Sequence, residues 1–102
     1  MKNEIITEFV KFKMLDSTSV EHLLLKAEIL NEFQIRQDGY IDSELVKKSD
    51  ENSWCLIYHY ESLEKVKVIG EKMRCSKVFD EFIPLIEPGS LEITFCQQFK
   101  KW

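Results

Sequence analysis

The sequence of 102 residues carries 14 Lys and Arg against 18 Asp and Glu, a formal net charge of −4. This length is typical of one domain, and a hydrophobic content of 44% is too high for an intrinsically disordered chain. The acidic balance does not favour nucleic-acid binding, which usually needs a basic surface. We therefore expect a single domain over residues 1–102, with no nucleic-acid partner.

The sequence predicts neither a membrane span nor a signal peptide, and its cysteines do not follow a disulfide or zinc-binding pattern. No apolar run approaches the roughly 20 residues needed to span a membrane, and the first residues lack the apolar core of a signal peptide. Cys55, Cys75 and Cys96 form neither an even set nor a C-x-x-C pair, which argues against a disulfide framework or a zinc site. We expect a cytoplasmic protein with reduced thiols and no membrane partner. Buried, unreactive thiols are usual at strand positions such as Cys55 and Cys96.

The first half of the chain predicts a strand, a helix and a second strand. Residues 2–14 are rich in Ile, Val and Phe, as strands are. Thr18-Ser19-Val20-Glu21 matches a capping box with Thr18 as the N-cap, and apolar residues then recur at helical spacing to about Arg36. Asp38-Gly39 indicates a turn, and residues 40–48 predict the next strand.

The second half repeats this order after a polar turn. Residues 53–60 form the most apolar and aromatic predicted strand. Helical spacing runs from Val66 to Ile83, with a predicted break at 74–76, and residues 91–99 predict a fourth strand. The order βαββαβ predicts an α+β, ferredoxin-like fold, in which both helical regions cover one face of a four-stranded antiparallel sheet.

Side-chain alternation places apolar residues on both faces of the central strands. On the third strand, one face carries Trp54, Leu56, Tyr58 and Tyr60, and the other face carries Cys55, Ile57 and His59. On the first strand, one face carries Ile6, Val10 and Phe12, and the other face carries Ile5 and Phe9. Because one helix layer covers only one face, the other would leave an apolar patch that soluble monomers rarely expose. We expect a homodimer with facing sheets; the alternative is a monomer whose second face is merely amphipathic.

The chain resembles the antibiotic biosynthesis monooxygenase superfamily of dimeric α/β-barrel proteins, over nearly its whole length. The resemblance rests on residues 33–41 at the helix end, on residues 54–64 in and after the aromatic strand, and on a Ser-x-x-Phe-x-x-Phe pattern at 76–82. It implies the dimeric α/β-barrel form of the fold. The superfamily includes cofactor-free monooxygenases of phenolic or quinol-type substrates. Its haem-degrading members use a helical His that the second helical region lacks.

The resemblance also implies a site around the third strand. Members that oxygenate aromatic polyketides are associated with an Asn, a Trp and a Tyr there, and Asn52, Trp54 and Tyr60 are the matching residue types. From the residues alone, Trp54, Tyr58 and Tyr60 could line a pocket for a planar ligand or pack in the core. His59 could deprotonate a phenol, or be a satisfied histidine at the sheet face or dimer interface.

Strand alternation also groups three side chains of the second strand. Tyr40, Asp42 and Glu44 are expected on one face, where a carboxylate could polarise a hydroxyl. Charges on an edge strand also commonly serve only to discourage aggregation.

With these residues, the resemblance implies a cofactor-independent monooxygenase that acts on a small aromatic or quinol-type molecule. His59 and Tyr60 are the predicted catalytic residues, and Asn52, Trp54 and Tyr58 the predicted substrate-binding residues. The base would deprotonate the substrate and the anion would react directly with O₂, so no metal or other cofactor is expected. The alternative is a non-catalytic dimeric module that binds a small molecule. The sequence leaves open whether the pocket lies beneath the helices or inside the dimer barrel.

Overall fold

The structure, a computed structural model, describes residues 4–102. Its elements are β1 (Ile6–Phe12), α1 (Val20–Ile35), β2 (Tyr40–Lys47), β3 (Trp54–Tyr60), α2 (Leu63–Cys75), α3 (Val78–Phe82), a 3₁₀ turn (Ile83–Leu85) and β4 (Glu92–Gln97). The strands form one antiparallel sheet in the order β2-β3-β1-β4. The predicted βαββαβ, ferredoxin-like fold is therefore confirmed. The predicted start of the first strand, at Lys2, lies outside the described residues.

The helix boundaries follow local capping signals. Ser62 caps α2 by accepting a hydrogen bond from the Lys65 backbone N–H. The cap of α1 is Ser19, whose hydroxyl accepts from the His22 N–H. The prediction of Thr18 as the N-cap was wrong by one residue, because the Thr18 hydroxyl donates instead to the Leu85 carbonyl at 3.5 Å.

The helices cover one face of the sheet, and the alternation predicted for β3 is confirmed. Trp54, Leu56, Tyr58 and Tyr60 are all buried, whereas the intervening residues are half-buried. The core comprises Ile6, Val10, Phe12, Leu23, Leu30, Trp54, Leu56, Tyr58, Tyr60, Val66, Ile69, Phe82, Leu85 and Ile86. The opposite face, here called the open face, carries Phe9 on β1 and Ile57 on β3, which pair across the strands. No described helix is both long and apolar enough to cross a membrane.

A β-bulge changes the prediction for the second strand. Tyr40 pairs with Tyr60, but Asp42 pairs with the next residue along, His59, so that Ile41 is an extra residue. As a result Tyr40 points toward α1, where its hydroxyl donates to Asn31, while Asp42 reaches His59 on the open face. The expectation that Tyr40 and Asp42 share a face was wrong, because simple alternation fails across a bulge.

Two glycines offer a matched test of the turns. Gly39 (φ 100°) and Gly89 (φ 83°) both have positive φ angles, but a Cβ atom at Gly39 would lie 2.5 Å from Lys65 Cβ, whereas Gly89 has open space. We expect Gly89→Ala to cost only backbone strain, about 1–2 kcal/mol. Gly39→Ala should cost more, because the start of α2 must shift. Urea unfolding of the two variants checks this order, and equal losses would contradict it.

Candidate active site

A cavity of about 380 Å³ lies between the sheet and the helices, and we call it the sheet–helix cavity. Its walls are mainly apolar and include Leu30, Ile69, Met73, Phe79 and Phe95. β4 contributes Ile93 and Phe95, which stay 44% and 49% exposed. The helices thus leave this edge of the sheet open. Such a volume and lining are typical of small-molecule sites.

A carboxylate and a phenol meet on the floor of the cavity. Glu8 is on β1, on the same face as Val10, and Tyr60 is at the end of β3. The Tyr60 hydroxyl donates a hydrogen bond of 3.0 Å to Glu8 Oε1. Burial raises the pKa of Glu8 above its ordinary value of 4.5, and the bond from Tyr60 opposes this shift. A buried carboxylate with a raised pKa is a common form of general base.

The two tyrosines of the cavity remain protonated at neutral pH. Burial raises the pKa of Tyr58 and of Tyr60 far above the ordinary value of 10, and the negative charge of Glu8 raises both further. Their rings stack, with centroids 6.0 Å apart. Both side chains can therefore donate hydrogen bonds and offer an aromatic surface, whereas neither forms a phenolate easily.

Two further polar side chains line the cavity. Gln34, on α1, is only 4% exposed, and its Oε1 has no hydrogen-bond partner within residues 4–102. Burial and the charge of Glu8 raise the pKa of Tyr60, and hydrogen bonding from the Gln34 side chain lowers it in part. Arg74, on α2, is exposed and donates to Glu71. The cavity thus combines an aromatic wall with a small number of convergent polar groups.

The structure separates His59 from the two tyrosines beside it in the sequence. His59 points to the open face, where its Nδ1 lies 2.7 Å from Asp42 Oδ1. Tyr58 and Tyr60 point to the helices and line the cavity. Within one chain, His59 therefore does not share a pocket with the predicted catalytic partner Tyr60.

Asn52 and Trp54 come together at the other end of β3. Trp54 Nε1 donates to Asn52 Oδ1 at 3.0 Å, and Asn52 also exchanges hydrogen bonds with the backbone of Met14. Lys47 lies over the Trp54 ring at 5.7 Å. Neither Asn52 nor Trp54 lines the sheet–helix cavity. Trp54 borders a larger but more open and more polar hollow of about 680 Å³, beside Lys11 and Lys47.

The sequence analysis missed Glu8, Gln34 and Arg74. A signal for Glu8 was present, because it is the single charged residue among Ile6, Val10 and Phe12 on the core-facing side of β1. The expectation of a buried thiol was wrong for Cys96, which is exposed on the edge strand β4, and Cys55 is only half-buried. Cys75 is also exposed. Within residues 4–102, no three His, Cys, Asp or Glu side chains are close enough to hold a metal ion.

Comparison with known proteins finds similar structures but no similar sequences. No protein-family model and no curated protein sequence matches it. SnoaB, a cofactor-independent oxygenase from Streptomyces nogalater, superposes with a TM-score of 0.82 at 13% identity, over 96% of each chain. The ActVA-Orf6 monooxygenase of Streptomyces coelicolor, solved with Nanaomycin D, gives a TM-score of 0.77 at 14% identity, over 98% of this chain and 91% of that one. A protein from Nitrosomonas europaea that is provisionally assigned as an antibiotic biosynthesis monooxygenase gives 0.80 at 11% identity, over 97% and 94%. The resemblance to the antibiotic biosynthesis monooxygenase superfamily is therefore confirmed at the level of the fold.

Proposed function

We propose that this protein is a cofactor-independent monooxygenase that oxidises a small aromatic or quinol-type molecule in the sheet–helix cavity. The observation that carries the proposal is the Glu8–Tyr60 pair, a carboxylate with a raised pKa at the floor of a largely apolar cavity. The folds of SnoaB and of ActVA-Orf6 support the same class of reaction. Fold alone does not establish an activity, so the residues of the site must carry the argument.

The proposed reaction converts a substrate CH₂ group, activated by an adjacent phenol ring, into a carbonyl. Glu8 removes one proton, and the resulting anion transfers an electron to O₂. The substrate radical and superoxide combine to form a C–O bond, and the proton returns to give a hydroperoxide. Loss of the second C–H proton then breaks the O–O bond and expels hydroxide, which takes up that proton as water. One O₂ is consumed for each carbonyl and each water formed, and the substrate supplies all four electrons.

Glu8 replaces His59 as the base in this proposal. Glu8 borders the cavity, whereas His59 lies on the other side of the same sheet. Tyr60 keeps its proton, so it serves as the donor that holds Glu8 in place. Tyr58 and Phe79 supply aromatic surface for a planar ring. Asn52 and Trp54 stay outside the proposed site.

We also propose that two chains pair through their open faces. Phe9 and Ile57 are half-buried neighbours at the centre of that face, and a contiguous apolar patch is rarely left uncovered in monomers. Phe99 and Trp102, near the C-terminus, are 94% and 99% exposed, and large exposed aromatics are typical of protein contacts. An isologous dimer would cover the open face and leave the sheet–helix cavity of each chain accessible.

Oxygen consumption tests the catalytic proposal. We expect the wild-type protein to consume one O₂ per molecule of a substituted anthrone, whose CH₂ group becomes a carbonyl, and to release a quinone. Each substrate without enzyme controls for autoxidation. Thermal stabilisation by these ligands without oxygen uptake would instead support the non-catalytic binding module.

A further inference from the structure

Gly70 lies in the interior of α2, well inside both ends of the helix. Glycine at such a position destabilises a helix relative to alanine, because its unfolded backbone has more conformational freedom to lose. Positive φ angles among the glycines occur at Gly39 and Gly89, and not at Gly70. The backbone conformation of α2 therefore does not require glycine at this position.

Neighbouring atoms do not require glycine at residue 70 either. Outside the backbone of its own helix, a Cβ atom at Gly70 would have one neighbour within 4 Å, Arg74 Nη1 at 4.0 Å. That distance is an ordinary van der Waals contact. At Gly39, by contrast, a Cβ atom would lie 2.5 Å from Lys65 Cβ. An alanine would therefore fit at residue 70 without a shift of the fold.

The helical periodicity of α2 places Gly70 on the side of the helix that faces the cavity. Val66, Ile69, Gly70 and Met73 follow the i, i+3, i+4, i+7 spacing of a core-facing stripe, and all four line the sheet–helix cavity. Apolar side chains normally fill such positions, because protein interiors are closely packed. Here the stripe lacks one side chain, and the neighbouring residues do not close over the space. The space beside Gly70 is therefore part of the cavity.

We propose that Gly70 is a specificity-determining residue, because part of the bound aromatic molecule occupies the space beside it and packs against the α2 backbone. A side chain at residue 70 would exclude the larger ligands that the cavity admits, which gives the loss of helix stability a function. This inference rests on the proposed function only in placing an aromatic ligand in the sheet–helix cavity. Apolar side chains such as Leu30 and Phe79 would contact the remaining surface of the ligand.

Gly70→Ala should have two effects of opposite value to the protein. Its Tm should rise by about 4–8 °C, because alanine favours the helix and meets no clash. Its dissociation constant for a large aromatic ligand should rise by about tenfold or more, because one added carbon in an apolar pocket changes discrimination by about 10–200-fold. The probes are alizarin, which has three fused rings, and naphthol, which has two. Naphthol should bind to Gly70→Ala nearly as it binds to the wild type.

A larger side chain and a matched control complete the experiment. Gly70→Leu should weaken the binding of alizarin further, and that of naphthol to a smaller extent. Val68→Ala is the control, because it also introduces a stronger helix former into α2. Val68 is 53% exposed and lies outside the cavity lining, so the dissociation constants of this variant should equal those of the wild type.

Four results would overturn the inference: a lower Tm for Gly70→Ala, unchanged alizarin binding in both Gly70 variants, equal weakening of alizarin and naphthol, or no binding of either probe to the wild type. Size selection that depends on Gly70 without any oxygen consumption would leave this inference standing and remove the monooxygenase proposal. Oxygen consumption with an unchanged KM in both Gly70 variants would do the reverse.

Discussion

Replacing Glu8 by Gln is expected to slow oxygen consumption by about 10²–10⁴-fold, the usual contribution of a general base. Gln keeps an oxygen that can accept the hydrogen bond from Tyr60, so the packing of the cavity should be preserved while the base is lost. The measurement is kcat with the best substrate of the oxygen-consumption panel. Glu28→Gln, at an exposed position of α1, is the control. Unchanged kcat in Glu8→Gln would remove Glu8 from the mechanism.

The pH dependence should carry the signature of the same carboxylate. Only the ionised form of Glu8 can accept a proton, and burial raises its pKa above 4.5. The wild-type kcat/KM should therefore rise with pH through an apparent pKa above that value and then level off. An activity governed by a group that titrates below the ordinary pKa of Glu would contradict this assignment.

As pH rises through the pKa of Glu8, the stability of the fold should fall while the activity rises. The raised pKa means that the folded protein holds the Glu8 proton more tightly than the unfolded chain does. Wild-type stability is therefore lost as pH rises through the range between the unfolded and the folded pKa. Glu8→Gln lacks this loss, so it should have the higher Tm at neutral pH, with the advantage shrinking below pH 4.5. Thermal melts across this pH range measure the effect.

Placing a charge at the centre of the open face is expected to abolish the dimer. Ile57 pairs with Phe9 and with Glu44, so a two-fold axis through this face would bring its symmetry mate nearby. Ile57→Lys would bury two ammonium groups in each dimer, a desolvation cost that pairing with the neighbouring Glu44 offsets only in part, and the dissociation constant should rise by at least about 10²-fold. Sedimentation at micromolar concentration should show twice 12.1 kDa for the wild type and 12.1 kDa for the variant.

Val68→Lys provides the comparison for this experiment. Val68 is an apolar residue on α2 that is 53% exposed, and it lies on the helix side of the molecule. Its replacement should leave the dimer intact, and circular dichroism would show whether both variants are folded. A monomeric wild type, or a dimer that survives Ile57→Lys, would remove the sheet-to-sheet proposal.

The strand and helix order could be predicted because each element carries its own periodicity. The alternation of β3, for example, separates buried Leu56 from half-buried Ile57 without any knowledge of the neighbouring strands. The bulge at Ile41 could not be predicted in this way. Its extra residue is visible only in the pairing with β3, and it sends Tyr40 and Asp42 to opposite faces.

The site was harder to predict than the fold, because a cavity is a gap between elements. Alternation correctly predicts Tyr58 and Tyr60 on one face and His59 on the other, although the predicted site combined all three residues. Gln34 looked like one more polar residue at the end of an amphipathic helix. Its place in the lining of the sheet–helix cavity follows from burial that the sequence does not show.

The bond between Glu8 and Tyr60 joins residues that are 52 positions apart. The chain between them contains all of α1 and the β2–β3 hairpin. β4, which also lines the cavity, follows later in the sequence. Contacts so distant in sequence form only after the cost of closing a long loop has been met, which makes them late events in folding. Ligand binding in the cavity should therefore report on completed folding, because a chain that lacks either β1 or β4 lacks part of the cavity lining.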